Sequence, residues 1–192
     1  MSKLLVTNEI GLAEVLASSP GKQCRTTNRS LNMKSREEIF KRGRIKMEFR
    51  KLTEQDLPSL LELYKQLQPD DEASSEKKSK TVWQEIENNP DIHYFGAIDN
   101  GKVVSTCFAV YIPNLTRNSR GFCFVENVVT DKDYRNQGLA SRVIDMAISY
   151  AKEKDCYKVI LQSGIARAEA HRFYENKGFD GSSKKAFDLR LG

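Results

Sequence analysis

Residues Gly121-Phe122-Cys123-Phe124-Val125-Glu126-Asn127-Val128-Val129-Thr130-Asp131, with Arg135-Asn136-Gln137-Gly138-Leu139-Ala140 just after them, carry the strongest structural signal in the chain. From Phe122 to Val129 the stretch is rich in β-branched and aromatic residues, the composition of a largely buried strand. The Arg-x-x-Gly-x-Ala turn then opens a segment in which Ala140, Val143, Ile144, Ala147, Ile148 and Ala151 recur at helical spacing. A strand that runs through a glycine turn into a helix N-terminus gathers backbone N–H groups that no helical carbonyl satisfies. Those donors, with the positive end of the helix dipole, favour an anion such as a pyrophosphate. The alternative for the same turn is a plain strand-to-helix connection.

The flanking segments alternate strand and helix. Met47 to Leu52 alternates as a strand, and Thr53 with Asp56 three residues later has the spacing of a helix cap. Leu57, Leu60, Leu61, Tyr64 and Leu67 are expected on one helical face ending at Pro69. A second helix is expected around Val82, Trp83 and Ile86, stopping at Asn89-Pro90. Residues 92–98 and 103–112 read as strands joined by Asp99-Asn100-Gly101, a strong hairpin signal. Tyr157 to Gln162 reads as a strand, Arg167 to Lys177 as a helix ended by Gly178, and Ala186 to Leu191 as a closing strand. This order predicts an α+β, three-layer fold: a mixed, mostly antiparallel sheet of six to seven strands flanked by about four helices.

With 192 residues the chain is long enough for one domain with a sizeable core and short for two. Residues 1–46, crowded with Ser, Thr, Asn, Gly and Lys/Arg, are expected to be an extension, flexible or partly helical, ahead of a domain at 47–192. The net charge of +5 belongs to that extension: it has ten Lys/Arg against four Glu, leaving 21 against 22 Asp/Glu in 47–192. A balanced domain does not read as a nucleic-acid binder. No apolar run approaches the roughly 20 residues needed to span a bilayer, and the N-terminus has no clear signal-peptide core. Cys24, Cys107, Cys123 and Cys156 have no paired spacing, and there are only two histidines, His93 and His171. That favours reduced thiols in a cytoplasmic protein, with no disulfide framework and no metal site.

Residues 47–192 resemble the GNAT superfamily of acetyl-CoA-dependent N-acetyltransferases. Three features carry the resemblance: Val125 to Asp131 with Arg135-x-x-Gly138-x-Ala140, similar to the family's motif A; Ala170-His171-Arg172-Phe173-Tyr174-Glu175-Asn176-Lys177-Gly178-Phe179, similar to motif B; and Met47 to Thr53 with Asp56, similar to its opening strand and cap. The resemblance implies the GNAT acyl-CoA N-acyltransferase fold, acetyl-CoA as acyl donor, and an amine acceptor, either a small molecule or a peptide. A homodimer is an assembly it leaves open. One departure stands out. Many members carry Asn seven residues before the motif B tyrosine; here that residue is Arg167. Arg167 is left with three readings: on a CoA phosphate, covering the cofactor, or facing water.

The chemistry needs a held cofactor, a neutral amine and a stabilised thiolate. The N–H groups of Asn136, Gln137, Gly138, Leu139, Ala140 and Ser141 are expected around the pyrophosphate, with Arg135 adding charge. The resemblance implies that the backbone of Val128, Val129 and Thr130 pairs with the pantetheine amides; Arg167 and His171 are candidates beside the cofactor, with a surface or packing role as the alternative for His171. Glu126, a carboxylate in an apolar strand, is the candidate base, directly or through water; a structural ion pair is its alternative. Burial is expected to raise its pKa. The motif B position makes Tyr174 the candidate acid for the leaving thiolate, with simple packing beside Phe173 as its alternative. Cys123 is an odd number of residues from Glu126, so a regular strand turns it to the other face. Direct attack in a ternary complex is therefore expected rather than an acyl-cysteine. A non-catalytic acyl-CoA-binding module is the competing class; it would not need Glu126 and Tyr174. The loop Pro113 to Arg120, the first two helices and the final strands are expected to shape the acceptor pocket.

Overall fold

The computed structural model describes residues 47–72 and 74–191; the extension expected at 1–46 lies outside them. Five strands form one sheet in chain order: β1 (Glu48–Lys51), β2 (Ile92–Asp99), β3 (Lys102–Ile112), β4 (Phe122–Thr130) and β5 (Val159–Leu161). Neighbours pair antiparallel except β4 and β5, which are parallel. The longer helices are α1 (Leu57–Tyr64), α2 (Glu76–Glu87), α3 (Leu139–Glu153) and α4 (Ala168–Asn176). Shorter helical turns occupy Glu54–Asp56, Thr116–Ser119 and Lys132–Tyr134.

The local signals act as their chemistry requires. Asn100 and Gly101 both have positive φ, 49° and 81°, the geometry of a two-residue hairpin turn that keeps β2 and β3 in twist. The Asp56 carboxylate accepts from the Thr53 N–H at 2.8 Å and from both Arg50 guanidinium nitrogens at 2.6 and 2.9 Å. Burial opposes the charge on Asp56, but the Arg50 and Thr53 hydrogen bonds outweigh it and hold the carboxyl below its ordinary range. The start of α1 is thereby pinned to β1.

Two apolar layers sandwich the sheet. On one face Val143, Ile144, Ala147, Tyr150 and Ala151 of α3 pack on Phe95, Ala97, Cys107, Ala109, Cys123 and Val125. On the other, Leu57, Leu60 and Leu63 of α1 and Trp83 of α2 pack on Leu52, Ile98, Val103 and Val129. Leu61, expected in the α1 stripe, is 37% exposed, whereas Leu63 is 2% exposed. The buried stripe is centred near Leu60 and Leu67, and a 100° step per residue turns Leu61 away from it.

The expected closing strand is not formed. Residues 186–191 have no regular structure, and the described residues contain five sheet strands rather than six or seven. Phe187, Leu189 and Leu191 alternate as a strand would, yet they are 87%, 84% and 89% exposed. Alternation supplies an apolar face; a strand also needs a neighbour's hydrogen-bonding edge and a surface to cover. Leu60, by contrast, is only 2% exposed and sits in the layer that seats α1 on the sheet. Leu60→Ala is expected to cost about 2–5 kcal/mol through lost burial and a residual cavity. Urea unfolding should show a lower midpoint at an unchanged slope.

Candidate active site

Strand β4 gains one residue midway. Glu126 lies opposite Phe108 and Val129 opposite Thr106, so three residues of β4 advance against two of β3. Asn127, with φ of 52°, absorbs the extra residue as a bulge. Hence Val125 and Val128, three residues apart, both join the α3 layer, while Val129 joins the α1 layer. On its other side, β4 pairs with β5 only from Cys123 to Val125. Beyond Val125 that edge of β4 has no strand beside it among the described residues. Val128, Val129 and Thr130 lie on this free stretch, as a pseudo-strand ligand would require.

The strand then enters the glycine turn. Asp131, 2% exposed, fixes the corner: its N–H donates to the Val104 carbonyl at 2.8 Å, and its carboxylate accepts from Lys102 Nζ at 2.7 Å and the Asp133 N–H at 3.0 Å. The Tyr134 hydroxyl donates to Asp99 Oδ2 at 2.7 Å, which braces the turn against the β2–β3 hairpin. Asn136 and Gly138 both take positive φ, 60° and 75°. Gly138 precedes α3, and no side chain caps the helix there. The first-turn N–H groups of Leu139, Ala140 and Ser141 therefore stay available, with Asn136, Gln137 and Gly138 exposed in front of them. A Cβ built on Gly138 would meet no protein atom within 4 Å, so the space it faces is open. The side chains of Leu139 and Val129 point into the core, leaving only their backbone to a ligand. Arg135 is exposed, and its Nε donates to the Thr130 carbonyl at 3.3 Å. These features fit a pyrophosphate and its pantetheine arm.

Sequence reading missed one cation here. Lys177, just after α4, donates to Ser141 Oγ at 3.1 Å and to the Asp145 carboxylate, bringing an ammonium group onto the first turns of α3. Its partners lie 36 and 32 residues away, so no local pattern announces them.

The candidate catalytic residues lie on different elements, Glu126 on β4 and Tyr174 on α4. Glu126 is half-buried, and its Oε2 accepts from the Asn127 N–H at 3.3 Å, inside the bulge. Tyr174, on α4, is half-buried between Phe173 and Phe179, with ring centroids 5.2 and 6.0 Å away. Burial raises the Tyr174 pKa; the Arg167 charge acts against this, while Cys107 and Glu126 add to it. Tyr174 thus feels both Arg167 and Glu126. Arg167 is exposed at the start of α4, and its positive charge opposes the burial that raises the Tyr174 pKa. His171 Nε2 lies 3.0 Å from the Gly164 carbonyl and ties the preceding loop to α4.

Cys123 and Cys107 are fully buried in the α3 layer. The bulge follows Glu126, so alternation between Cys123 and Glu126 is intact and the two lie on opposite faces. Burial pushes the Cys123 thiol up to about 11 and the Cys107 thiol up to about 12. Neither is a thiolate at neutral pH. Among the described residues no group of His, Cys, Asp and Glu is arranged to hold a metal.

On the other face a cavity of about 1210 Å³ runs along α1, the segment after it, and the start of α2, reaching Asn127. The loop Pro113–Arg120, expected to help shape an acceptor pocket, does not line it.

Residues 57–179 match the model of the "Acetyltransferase (GNAT) family". A glucosamine 6-phosphate N-acetyltransferase of Trypanosoma brucei brucei is 30% identical over 135 residues, covering 70% of this chain and 90% of its own. A glucosamine 6-phosphate N-acetyltransferase of Arabidopsis thaliana is 30% identical over 112 residues, covering 55% of this chain and 73% of its own. The solved structure of a putative acetyltransferase from Agrobacterium tumefaciens str. C58 superposes with a TM-score of 0.71 at 38% identity, over 75% of this chain and 99% of that one. With the five-stranded sheet, the bulged and half-free β4, and an uncapped helix behind the glycine turn, the chain belongs to the GNAT family of acetyltransferases.

Proposed function

We propose that the protein is an N-acetyltransferase that moves an acetyl group from acetyl-CoA to a primary amine by direct attack in a ternary complex. The observation that carries this reading is the half-free edge of β4, which runs from the Glu126 bulge directly into the open, uncapped glycine turn. Two relatives named for acetylating an amino sugar phosphate support a small-molecule amine as acceptor.

Acetyl-CoA, when bound, supplies the activated thioester. The N–H groups from Asn136 to Ser141 would hold its pyrophosphate, helped by Arg135 and by the ammonium of Lys177 on the α3 turn. The backbone of Val128, Val129 and Thr130 would take the pantetheine amides. A primary amine, with a pKa of about 10, is mostly protonated at neutral pH and must shed a proton before attack. Glu126, partly open to solvent, receives that proton at a carboxylate oxygen, directly or through a water. Tyr174 keeps its own proton at neutral pH, because burial raises its pKa, and donates from Oη toward the departing sulfur. Arg167 adds positive charge beside that developing anion. His171, held on Gly164, serves by ordering the loop that carries Arg167.

Three measurements test these roles. Tyr174→Phe should lower kcat by about 10²-fold with little change in acetyl-CoA affinity, and an unchanged kcat would remove Tyr174 as the acid. Glu126→Gln should lower kcat/KM most at the acid end of the pH profile, where free amine is scarce; a parallel loss at every pH would count against the base role. Gly138→Val should abolish acetyl-CoA binding in calorimetry, since its side chain enters the open space before α3. The positive φ adds only about 1–2 kcal/mol of strain, so the domain should still fold. Wild-type affinity in that variant would refute the turn as cofactor site.

A further inference from the structure

The cavity that reaches Asn127 has a charge pattern of its own. Its lining carries Glu54, Glu62, Asp71, Glu72 and Glu76 against Lys65 and Lys80. Both lysines are already committed: Lys65 Nζ lies 2.5 Å from Glu62, and Lys80 Nζ lies 2.7 Å from Glu76. Glu54, Asp71 and Glu72 have no ion-pair partner among the described residues. Among the described residues the wall therefore carries three carboxylates that make no ion pair, with Glu54 within reach of the Lys80 charge.

A second observation lies at the inner end. Tyr64 lines the cavity, and its hydroxyl is shielded from solvent beside Tyr94 and Asn127 but makes no hydrogen bond of good geometry with either. A buried hydroxyl left unpaired is costly unless a ligand or water completes it. Asn127 follows Glu126 directly, so this end of the cavity adjoins the residue assigned to take the proton.

From this we infer that the acceptor is a small oligoamine carrying two or more positive charges, which enters along the acidic wall with one amino group leading toward Tyr64, Asn127 and Glu126. The inference rests on the acetyltransferase reading and names its substrate class. Each lining lysine sits beside a carboxylate, and the five lining carboxylates outnumber the two lysines, so the wall favours a cationic amine over a phosphorylated or carboxylated one. An oligoamine instead leaves its trailing ammonium groups against Asp71, Glu72 and Glu54 while the leading one is deprotonated. Because the wall is open to solvent, this attraction is screened by salt.

The test compares spermidine, glucosamine 6-phosphate and a simple monoamine as acceptors for the full-length chain, following release of the CoA thiol. Spermidine should show a kcat/KM at least about tenfold above the other two, falling several-fold as NaCl rises from about 20 to about 200 mM. The double variant Asp71→Asn with Glu72→Gln should raise the KM for spermidine about tenfold and leave the KM for acetyl-CoA as it was. Glucosamine 6-phosphate used as well as spermidine, or a spermidine KM indifferent to the double variant, would overturn the oligoamine assignment and leave the acetyltransferase standing. Thiol release with none of the amines would overturn the oligoamine assignment, whereas failure of the wild type to bind acetyl-CoA in calorimetry would sink the acetyltransferase reading itself. Calorimetry of spermidine binding then judges the cavity: binding weakened in the double variant supports it, and no binding to the wild type overturns it.

Discussion

The structure depends on how far β4 is paired. Its β3 side is hydrogen-bonded nearly throughout, but its β5 side is bonded only from Cys123 to Val125. The extra residue at Asn127 falls just beyond that limit. Pairing on both sides holds the first half of β4 rigid within the α3 layer, where Cys123 and Val125 are 0% and 1% exposed. Release on one side leaves the second half with unspent backbone donors and acceptors, a cost the fold accepts only where a ligand or water takes them up. The bulge reverses which residues face which layer. It seats Val128 on one core and Val129 on the other, so the free half stays anchored while its edge stays open.

The chemistry follows from that edge being a meeting point. One end runs into the glycine turn, held by buried Asp131 and by the Tyr134–Asp99 bond, so the α3 N-terminus faces outward at a fixed angle. The other end carries Glu126, with Tyr174 of α4 within reach of its charge. The two sheet faces differ: the α3 layer carries the uncapped helix terminus behind the glycine turn, and the α1 and α2 layer bounds the acidic cavity. A donor carrying phosphates and an acceptor carrying ammonium groups would thus come from opposite electrostatic environments to one strand. Complementary fields of this kind govern encounter and selectivity more than bulk affinity.

Much of this was legible in the residues themselves. Asp99-Asn100-Gly101 specified the hairpin because only residues tolerant of positive φ fit a two-residue turn. The Gly138 turn and the period of Val143, Ile144 and Ala147 placed the start of α3 near Gly138, and the helix runs from Leu139 to Glu153. The odd spacing of Cys123 and Glu126 placed them on opposite faces, and it held because the bulge comes after both. The strand expected at 186–191 failed for the complementary reason: alternation is local, whereas pairing requires an edge supplied by another segment. Leu63 displaced Leu61 because the core, and not the spacing alone, sets the centre of a helical stripe.

By itself, then, the sequence determined the order of elements, the glycine turn with its helix, and the residue types able to bind a phosphate and move a proton, since each depends on neighbours a few positions away. Only the tertiary structure decided that β4 parts from β5 after Val125, that Asn127 carries the bulge, and that Lys177 reaches Ser141 across 36 residues. It alone showed that both lysines of the cavity are already paired, leaving Glu54, Asp71 and Glu72 to set its charge. Those features are differences between long-range contacts made and not made, and such differences exist only once the chain has closed on itself.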